Sequence, residues 1–408
     1  MSSHRYQMLS NSSTRPARLS KPGGRGTLAA LCCAALFLFA VYLGAIGIFL
    51  PVLGQTFHLG PAVQGRIFPA NFGGFIVGVL TCGFLSDRIG RKRVLLGAIL
   101  LFALAQGLVG FSRTFGSVLV GFALIGAGGG AMETVASALA ADLFPQRRAA
   151  IINALQVAFG AGAALSPLLA HKLLMAGADW HRLFFAVALV NLVLMLLLAF
   201  QAVPAAPHQP ESLTAAALHS VLKHPVFLIL CLCQALYVGA ETGFSSWLPS
   251  YFDRLPGSVA WTGIVVTGFW AAMTLGRAVV GGGIAGLPLT RLVCGLAFLG
   301  AVAAGLTLLP HQASIAFIGV LGTGLFFSGI FGLILAEAGD CFPHSAGTVF
   351  GCVVAAGGVG GAVVPWAIGA LTGSAWGWSG AMALIPAAAL LLGVVLLVYD
   401  RSSGRKHI

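Results

Sequence analysis

Charged residues are scarce in this chain of 408 residues, and acidic residues are the scarcest. Asp, Glu, Lys and Arg make up 8% of the sequence, against roughly 25% in a typical soluble domain. So few charges cannot cover the surface of a water-soluble protein of this size, which excludes a soluble enzyme. The sequence is 58% hydrophobic and has a net charge of +12. We therefore predict an integral membrane protein whose basic charge needs no nucleic-acid partner.

Motifs for cofactors and metals are also missing. The ten histidines and eight cysteines show no spacing that suits zinc. No phosphate-binding loop of the Gly-x-x-x-x-Gly-Lys type is present. We therefore expect no cofactor, no bound metal, no ATP hydrolysis and no enzymatic activity. Work against a concentration gradient must then draw on an ion gradient.

Long apolar runs dominate the sequence instead. A helix needs about 20 apolar residues to cross the roughly 30 Å hydrocarbon core of a bilayer. Twelve such stretches cover residues 28–50, 65–85, 94–111, 117–141, 150–170, 183–203, 225–249, 260–281, 292–308, 313–336, 346–370 and 379–399. Their length excludes an outer-membrane barrel, whose strands are about ten residues long. The predicted fold class is all-α, with twelve transmembrane helices.

Two six-helix bundles are indicated by a polar linker and by an internal repeat. We predict a disordered basic tail at 1–27, an N-terminal bundle at 28–203, a cytoplasmic linker at 204–224, a C-terminal bundle at 225–399 and a cytoplasmic tail at 400–408. The pair Phe144-Pro145 recurs 198 residues later, and so does Pro167. Two halves related by an axis along the membrane normal bind substrate between them.

Positive charges are distributed unevenly between the two sides of the predicted bundle. With the N-terminus inside, 17 of the 22 Lys and Arg residues fall on the inner side. This bias predicts that both termini are cytoplasmic. We expect a multi-pass protein of a plasma membrane, here a bacterial inner membrane, that works as a monomer in the lipid bilayer.

The loop between the second and third predicted helices carries the motif Gly83-x-x-x-Asp87-Arg88-x-Gly90-Arg91. A generic basic loop explains its cations but not an acid held between two glycines. The motif resembles the signature loop of the major facilitator superfamily, whose transporters consist of two pseudo-symmetric six-helix bundles. The resemblance implies that these five residues are gating residues, and that the acid closes the cytoplasmic side against the start of helix 11.

Segments of helices 4, 5 and 7 resemble the fucose permease branch of that superfamily, which includes glucose carriers. They are Gly128-Gly-Gly-Ala-Met-Glu133, Asn153-Ala-Leu-Gln156 and Tyr237-Val-Gly-Ala-Glu241. The first helix departs from the branch, because it has no acid where the fucose permease pattern has an Asn-Asp pair. The resemblance implies a secondary transporter of a small, sugar-like solute. The missing acid argues against fucose itself and against a relay of two acids.

Glu133 and Glu241 are the two acids that fall deep within predicted helices. A charged residue at mid-membrane costs at least about 2.5 kcal/mol and is functional by default. The sequence places no Lys, Arg or His at their depth, so both carboxyls are expected to be unpaired. Burial favours the neutral form of such a carboxyl, which suits proton carriage. We assign proton coupling to Glu133, with a neutral glutamate hydrogen-bonded inside the bundle as the alternative for each acid.

Polar side chains at helical spacing next to these acids predict a substrate cavity, because lipid does not accept polar stripes. Hydroxyl and amide groups near aromatic rings suit a sugar or another neutral polar solute. The predicted substrate-binding residues are Asn153, Gln156, Gln234, Tyr237, Glu241 and Ser245, with Tyr42, Asn71, Trp270 and Trp366 as weaker additions. Small-residue runs such as 126–130 are expected to serve close helix packing.

Two functions remain open at this point. The first is uptake of a small polar solute by alternating access, coupled to protons or, as the alternative ion, to sodium. The second is proton-driven export of a drug or of a secreted metabolite such as a siderophore, since exporters often use a single membrane acid. A membrane enzyme or receptor is disfavoured, because the sequence contains neither a catalytic constellation nor a soluble domain.

Overall fold

The computed structural model describes residues 22–202, 221–256, 261–281, 288–309 and 312–402. Within these ranges, twelve helices are long and apolar enough to cross a membrane, and turns or short helices connect them. The described chain is all-α, which confirms the predicted fold class. Most of the predicted N-terminal tail, most of the linker and the last residues of the chain lie outside these ranges.

The spanning helices are numbered α1 to α12 in chain order. The first six are α1 (Pro22–Phe57), α2 (Ile67–Ile89), α3 (Arg91–Gly110), α4 (Phe115–Leu143), α5 (Arg148–Met175) and α6 (Trp180–Ala199). The second six are α7 (Pro225–Phe252), α8 (Thr262–Gly281), α9 (Leu289–Leu308), α10 (Ala313–Phe327 and Ile330–Cys341), α11 (Ala346–Leu371) and α12 (Gly377–Met382 and Leu384–Ser402). Within the described residues, every predicted span corresponds to one of these helices.

Helix α1 is longer than its apolar run. It has 36 residues, about 54 Å at 1.5 Å per residue, whereas the apolar run predicted 28–50. Pro22 stands at its start, where a proline loses no helical hydrogen bond. Other helices begin at side-chain caps: Thr114 and Ser117 form a capping box at α4, and Asp179 accepts a hydrogen bond from the backbone N–H of His181 at α6.

The two halves repeat the same packing. In the first half α1 packs on α5, α2 on α4, and α3 on both α4 and α6; in the second, α7 packs on α11, α8 on α10, and α9 on both α10 and α12. Gly126 of α4 lies against the backbone of Asn71, and 198 residues later Gly324 lies against that of Phe269. The internal repeat is therefore present in the structure with the predicted offset.

Gly126 allows α2 and α4 to touch backbone to backbone, because a Cβ there would overlap the carbonyl oxygen of Asn71. We expect Gly126→Ala to destabilise the protein by about 1–3 kcal/mol through overpacking. Gly97 of α3 is the matched control, since a Cβ there meets no described atom within 4 Å. Gly97→Ala should be neutral or stabilising by up to about 1 kcal/mol. Thermal unfolding of both variants is the measurement, and equal Tm values would contradict the backbone contact.

The halves meet along α1 and α7, α2 and α11, and α5 and α8. They are in close contact near the end of the bundle where α1 stops: Gly47 lies against the backbone of Ser246, and the ring centroids of Phe68 and Trp247 are 6.1 Å apart. At the opposite end the first turns of α5 and α11 carry exposed residues such as Asn153. This arrangement closes the space between the halves toward the end where α1 stops.

Candidate functional site

A narrow cavity of about 80 Å³ lies between the two halves. Typical ligand pockets hold roughly 300–1,000 Å³, so a substrate larger than a few water molecules enters only after the halves move apart. Its aromatic lining includes Phe39, Phe72, Phe75, Phe159, Trp270 and Phe331. Three ionisable side chains, Glu133, Glu241 and Arg277, face the same space.

The charged centre of this cavity is an ion pair between α7 and α8. Oε1 of Glu241 lies 3.8 Å from Nη2 of Arg277, and the hydroxyl of Tyr237 donates a hydrogen bond to the same oxygen at 3.1 Å. The Arg277 and Glu241 side chains are only 13% and 12% exposed. Removing one partner of such a pair leaves an uncompensated buried charge, so the two side chains depend on each other.

Arg277 corrects the prediction that no cation shares the depth of the two acids. Its backbone lies near the end of α8, but a long side chain on a helix points back toward the helix N-terminus. Nη2 of Arg277 accordingly lies 3.4 Å from the sulfur of Met273, one turn earlier. Its Nε donates a hydrogen bond to the carbonyl oxygen of Ser328 at 3.4 Å. Ser328 stands at the break in α10, where carbonyl groups lack helical partners.

Glu133 faces the cavity from α4, so both predicted membrane acids meet at one site. In the described parts of the chain, no ion pair within 4.0 Å includes Glu133. With all three groups ionised, the two carboxylates and the guanidinium of Arg277 sum to one negative charge. Protonation of a glutamate is the simplest way to neutralise the cavity.

Other predicted binding residues reach the cavity or lie directly behind its wall. The lining includes Asn71, Gln156, Ser245 and Trp270. Tyr42 is buried behind this lining, where its hydroxyl donates a hydrogen bond to Oδ1 of Asn71 at 2.9 Å. Tyr237 is likewise buried behind the lining, and its hydroxyl donates a hydrogen bond to Glu241. The two tyrosines therefore orient polar groups of the wall and are not themselves part of the lining.

Asn153, Gln234 and Trp366 lie outside the cavity lining. Asn153 is exposed near the start of α5, one turn closer to the helix end than the lining residue Gln156. Gln234 is fully buried in α7, and its side-chain amide has no hydrogen-bond partner in the part of the chain that the structure describes. Trp366 is 44% exposed on α11. Helical spacing predicted the shared faces but could not predict the depth and rotation set by helix packing.

The predicted gating loop is a direct turn from α2 to α3. Gly90 takes a φ of 92°, a conformation that glycine adopts without strain. Immediately after it, Nη1 of Arg91 lies 2.8 Å from Oδ2 of Asp142, near the end of α4. This ion pair ties the turn to a third helix of the same half. Asp142 was not among the predicted site residues, although it lies near the Phe144-Pro145 pair that marks the end of α4.

The remaining loop residues belong to the last two turns of α2. Gly83 is half-buried there, and the guanidinium of Arg88 lies 4.0 Å from the ring centroid of Phe84. The side chain of Asp87 lies outside the described part of the structure. Its predicted contact with the start of helix 11 therefore stays a prediction.

Sequence comparison finds relatives among bacterial transporters of aromatic acids and drugs. The chain is 31% identical over 172 residues to the 4-hydroxybenzoate transporter PcaK of Pseudomonas aeruginosa, a match covering 42% of this chain and 38% of that protein. It is 28% identical over 225 residues to the 3-(3-hydroxy-phenyl)propionate transporter of Escherichia coli, covering 54% and 55%. The multidrug resistance protein MdtL of a Shewanella species is 31% identical over 174 residues, covering 42% and 43%. The chain therefore matches about two fifths to just over half of the length of these relatives.

Structure comparison finds the same architecture in two transporters of E. coli. The fucose:proton symporter FucP matches with a TM-score of 0.68 at 19% identity, over 92% of this chain and 99% of that chain. The xylose transporter XylE, in an inward-open conformation, matches with a TM-score of 0.74 at 15% identity, over 91% and 96%. At these identities the likeness concerns the fold alone, and it confirms the fold implied by the fucose permease branch.

The sequence profile of the Major Facilitator Superfamily matches residues 31–365. The matched region begins within α1 and ends within α11, so it contains the signature loop and the residues that line the central cavity. The twelve helices and the cavity between two repeated halves agree with this match. The chain belongs to the Major Facilitator Superfamily, and its described part is that of a multi-pass membrane protein.

Proposed function

We propose that this transporter carries a small organic acid with a flat, apolar body, such as an aromatic carboxylate. The proposal depends on one observation: the guanidinium of Arg277 faces a cavity with a largely aromatic lining. The planar guanidinium matches the geometry of a carboxylate, and aromatic side chains suit a flat ring. The relatives named as transporters of 4-hydroxybenzoate and 3-(3-hydroxy-phenyl)propionate support the same class of solute.

Unsatisfied donors in the cavity favour a ligand that brings acceptors. Nη1 of Arg277 and Nε1 of Trp270 are buried without a hydrogen-bond partner among the described residues. A buried donor left unpaired costs about 1–3 kcal/mol, which an oxygen of a bound ligand would recover. The 3.8 Å between Arg277 and Glu241 exceeds the roughly 2.7–2.9 Å of a charge-assisted hydrogen bond. An incoming carboxylate can therefore approach the guanidinium more closely than Glu241 does.

The charge balance of the cavity supports proton coupling. A carboxylate bound beside Arg277 and two ionised glutamates would leave the cavity with two net negative charges. Uncompensated charge is costly in a poorly solvated interior, so at least one proton should accompany each anion. Glu133 is the proposed first acceptor, because Glu241 already has Arg277 and Tyr237 as partners. Sodium, which carries the same charge as a proton, stays the alternative coupling ion.

The sugar-like solute predicted from the sequence has less support from this cavity. A sugar brings hydroxyl groups but no negative charge for Arg277. Export of an amphipathic drug is the second candidate function, favoured by the aromatic lining and by the relative MdtL. A drug exporter would use the aromatic walls without needing a carboxylate.

We also propose a bacterial inner-membrane location with both termini in the cytoplasm, following the charge bias and the bacterial relatives. The end of the bundle that is closed in this structure is then the periplasmic end. The Gly83–Arg91 turn is proposed to gate the cytoplasmic end, with Arg91 held by Asp142. In this arrangement a monomer alternates access by rocking its N-terminal bundle against its C-terminal bundle.

Exchange measurements in proteoliposomes test the proposed solute class. We expect labelled 4-hydroxybenzoate to exchange against unlabelled 4-hydroxybenzoate faster than in protein-free liposomes, which control for passive diffusion of the acid. Its neutral amide and fucose should not exchange. Exchange of fucose but not of the carboxylate would support the sugar prediction, and transport of the cationic dye ethidium alone would support a drug exporter.

A further inference from the structure

A second concavity, of about 340 Å³, lies at the end of the bundle where α1 stops. We call it the vestibule. One wall comes from the first half and includes Pro51, Gln55 and Pro61; the other comes from the second half and includes Ser250, Arg254 and Trp378. Its volume falls in the range of about 300–1,000 Å³ that is usual for ligand pockets, whereas the central cavity is far smaller.

Arg254 presents a guanidinium to this vestibule. Its Cζ lies 3.9 Å from the ring centroid of Trp378, and Nη1 donates a hydrogen bond to the carbonyl oxygen of Ser250. Arg254 is exposed at the vestibule, and partial desolvation lowers the pKa of its guanidinium. The adjacent carboxylate of Asp253 accepts a hydrogen bond from the hydroxyl of Thr262 at 2.5 Å.

The same guanidinium retains capacity for an anion. Within the described ranges of the chain, no ion pair within 4.0 Å includes Arg254. Guanidinium has five N–H donors in a planar fork, and the bond to Ser250 accounts for one of them. A carboxylate can therefore meet the free donors of Arg254. An attached ring then lies between the indole rings of Trp247 and Trp378 and the first-half wall of Pro51 and Gln55, since all of these line the vestibule.

We propose that the vestibule binds a small aromatic carboxylate on Arg254, and that the bound anion holds the two halves together at this end. The site exists only while its two walls are close, because one wall belongs to each half. Opening this end separates Pro51 and Gln55 from Arg254 and Trp378. A ligand that binds one of two states shifts the population toward that state. The vestibule is then a site at which a bound anion inhibits transport. It is separate from the central cavity, and binding there depends only on the residues that line the vestibule.

Hydrogen exchange of the full-length protein tests this site. The protein is placed in nanodiscs of phosphatidylcholine, whose headgroups carry no net negative charge that would compete for Arg254. Benzoate should slow amide exchange in the last turns of α1 and α7 together, because it bridges both walls. Benzamide, which has the same ring without the charge, should leave both segments unchanged. Benzoate that protects neither segment or only one, or benzamide that protects equally, overturns the proposal.

Three variants assign the effect to its residue. Arg254→Gln should raise the benzoate concentration needed for protection about tenfold or more, as expected for losing one charge-assisted contact. Arg113→Gln removes an exposed arginine at the same end of the bundle and should change nothing. The double variant Arg277→Gln/Glu241→Gln removes the central charges without leaving a lone acid, and protection should survive in it. Loss of protection in the double variant would place the effect in the central cavity. Unchanged protection in Arg254→Gln would show that Arg254 does not bind the anion. Either result overturns the vestibule site.

Discussion

Replacing Arg277 is expected to abolish transport of the anionic solute and to destabilise the protein. Arg277→Gln removes the guanidinium that is proposed to bind the carboxylate of the solute. It also leaves Glu241 buried without its cation. Breaking a buried ion pair in this way destabilises a protein by about 3–5 kcal/mol. The loss is smaller if Glu241 takes up a proton, because a neutral carboxyl costs less to bury. Thermal unfolding and exchange of 4-hydroxybenzoate in proteoliposomes measure the two effects. Each measurement is made beside the wild-type protein in the same lipid.

Arg291 offers a matched control for this substitution. It lies 3.3 Å from Asp400, but its side chain is 53% exposed, and surface pairs of this kind contribute about 0–1 kcal/mol. Arg291→Gln should therefore leave both stability and exchange nearly unchanged. Exchange at the wild-type rate in Arg277→Gln would contradict the role of Arg277 as the anion ligand.

The double variant Arg277→Gln/Glu241→Gln separates the structural effect from the functional one. Removing both charges leaves no uncompensated buried ion, so most of the lost stability should return. Transport of the carboxylate should not return, because the guanidinium is still absent. If transport recovers along with stability, Arg277 serves only to neutralise Glu241, and the proposed solute class loses its main support.

Glu133→Gln is expected to abolish proton-driven accumulation while exchange survives at least in part. Glutamine keeps the size and hydrogen-bonding capacity of the side chain but cannot take up a proton. Exchange of labelled against unlabelled solute needs no net proton movement, whereas accumulation does. The measurement compares both processes in proteoliposomes with an imposed pH gradient.

Glu337→Gln is the control for this second prediction, since Glu337 lies in the second segment of α10 and outside the lining of the central cavity. We expect this variant to accumulate solute like the wild type. If Glu133→Gln accumulates solute to the wild-type level, Glu133 does not couple transport to protons. Loss of exchange as well as accumulation would instead place Glu133 in solute binding.

The fold could be predicted from the sequence because membrane helices leave a simple signal. Each span needs a long apolar run, and the repeat offset of 198 residues holds both for Pro167 and Pro365 in the sequence and for the Gly126 and Gly324 contacts in the structure. The break in α10 near Ser328 could not be predicted, since the apolar run continues through it. That break matters for the proposed site, because the carbonyl group of Ser328 accepts a hydrogen bond from Arg277.

The candidate site could be predicted only in part. Glu133 and Glu241 were recognised because an acid within an apolar run has a high energetic cost. The sequence does not place Arg277 in the site, since its position near the end of α8 gives no information on the direction of its side chain. An arginine inside the apolar run 260–281 was the available signal. Its pairing with Glu241 depends on how α7, α8 and α10 pack, which a single sequence does not reveal.

Proton uptake on anion binding tests the central claim most directly. Purified protein in weakly buffered solution at alkaline pH is mixed with 4-hydroxybenzoate while a pH indicator reports the free proton concentration. We predict that the wild-type protein takes up at least one proton for each anion bound, and that Arg277→Gln/Glu241→Gln neither binds the anion nor takes up protons. Anion binding by the wild type with no change in free proton concentration would contradict the account.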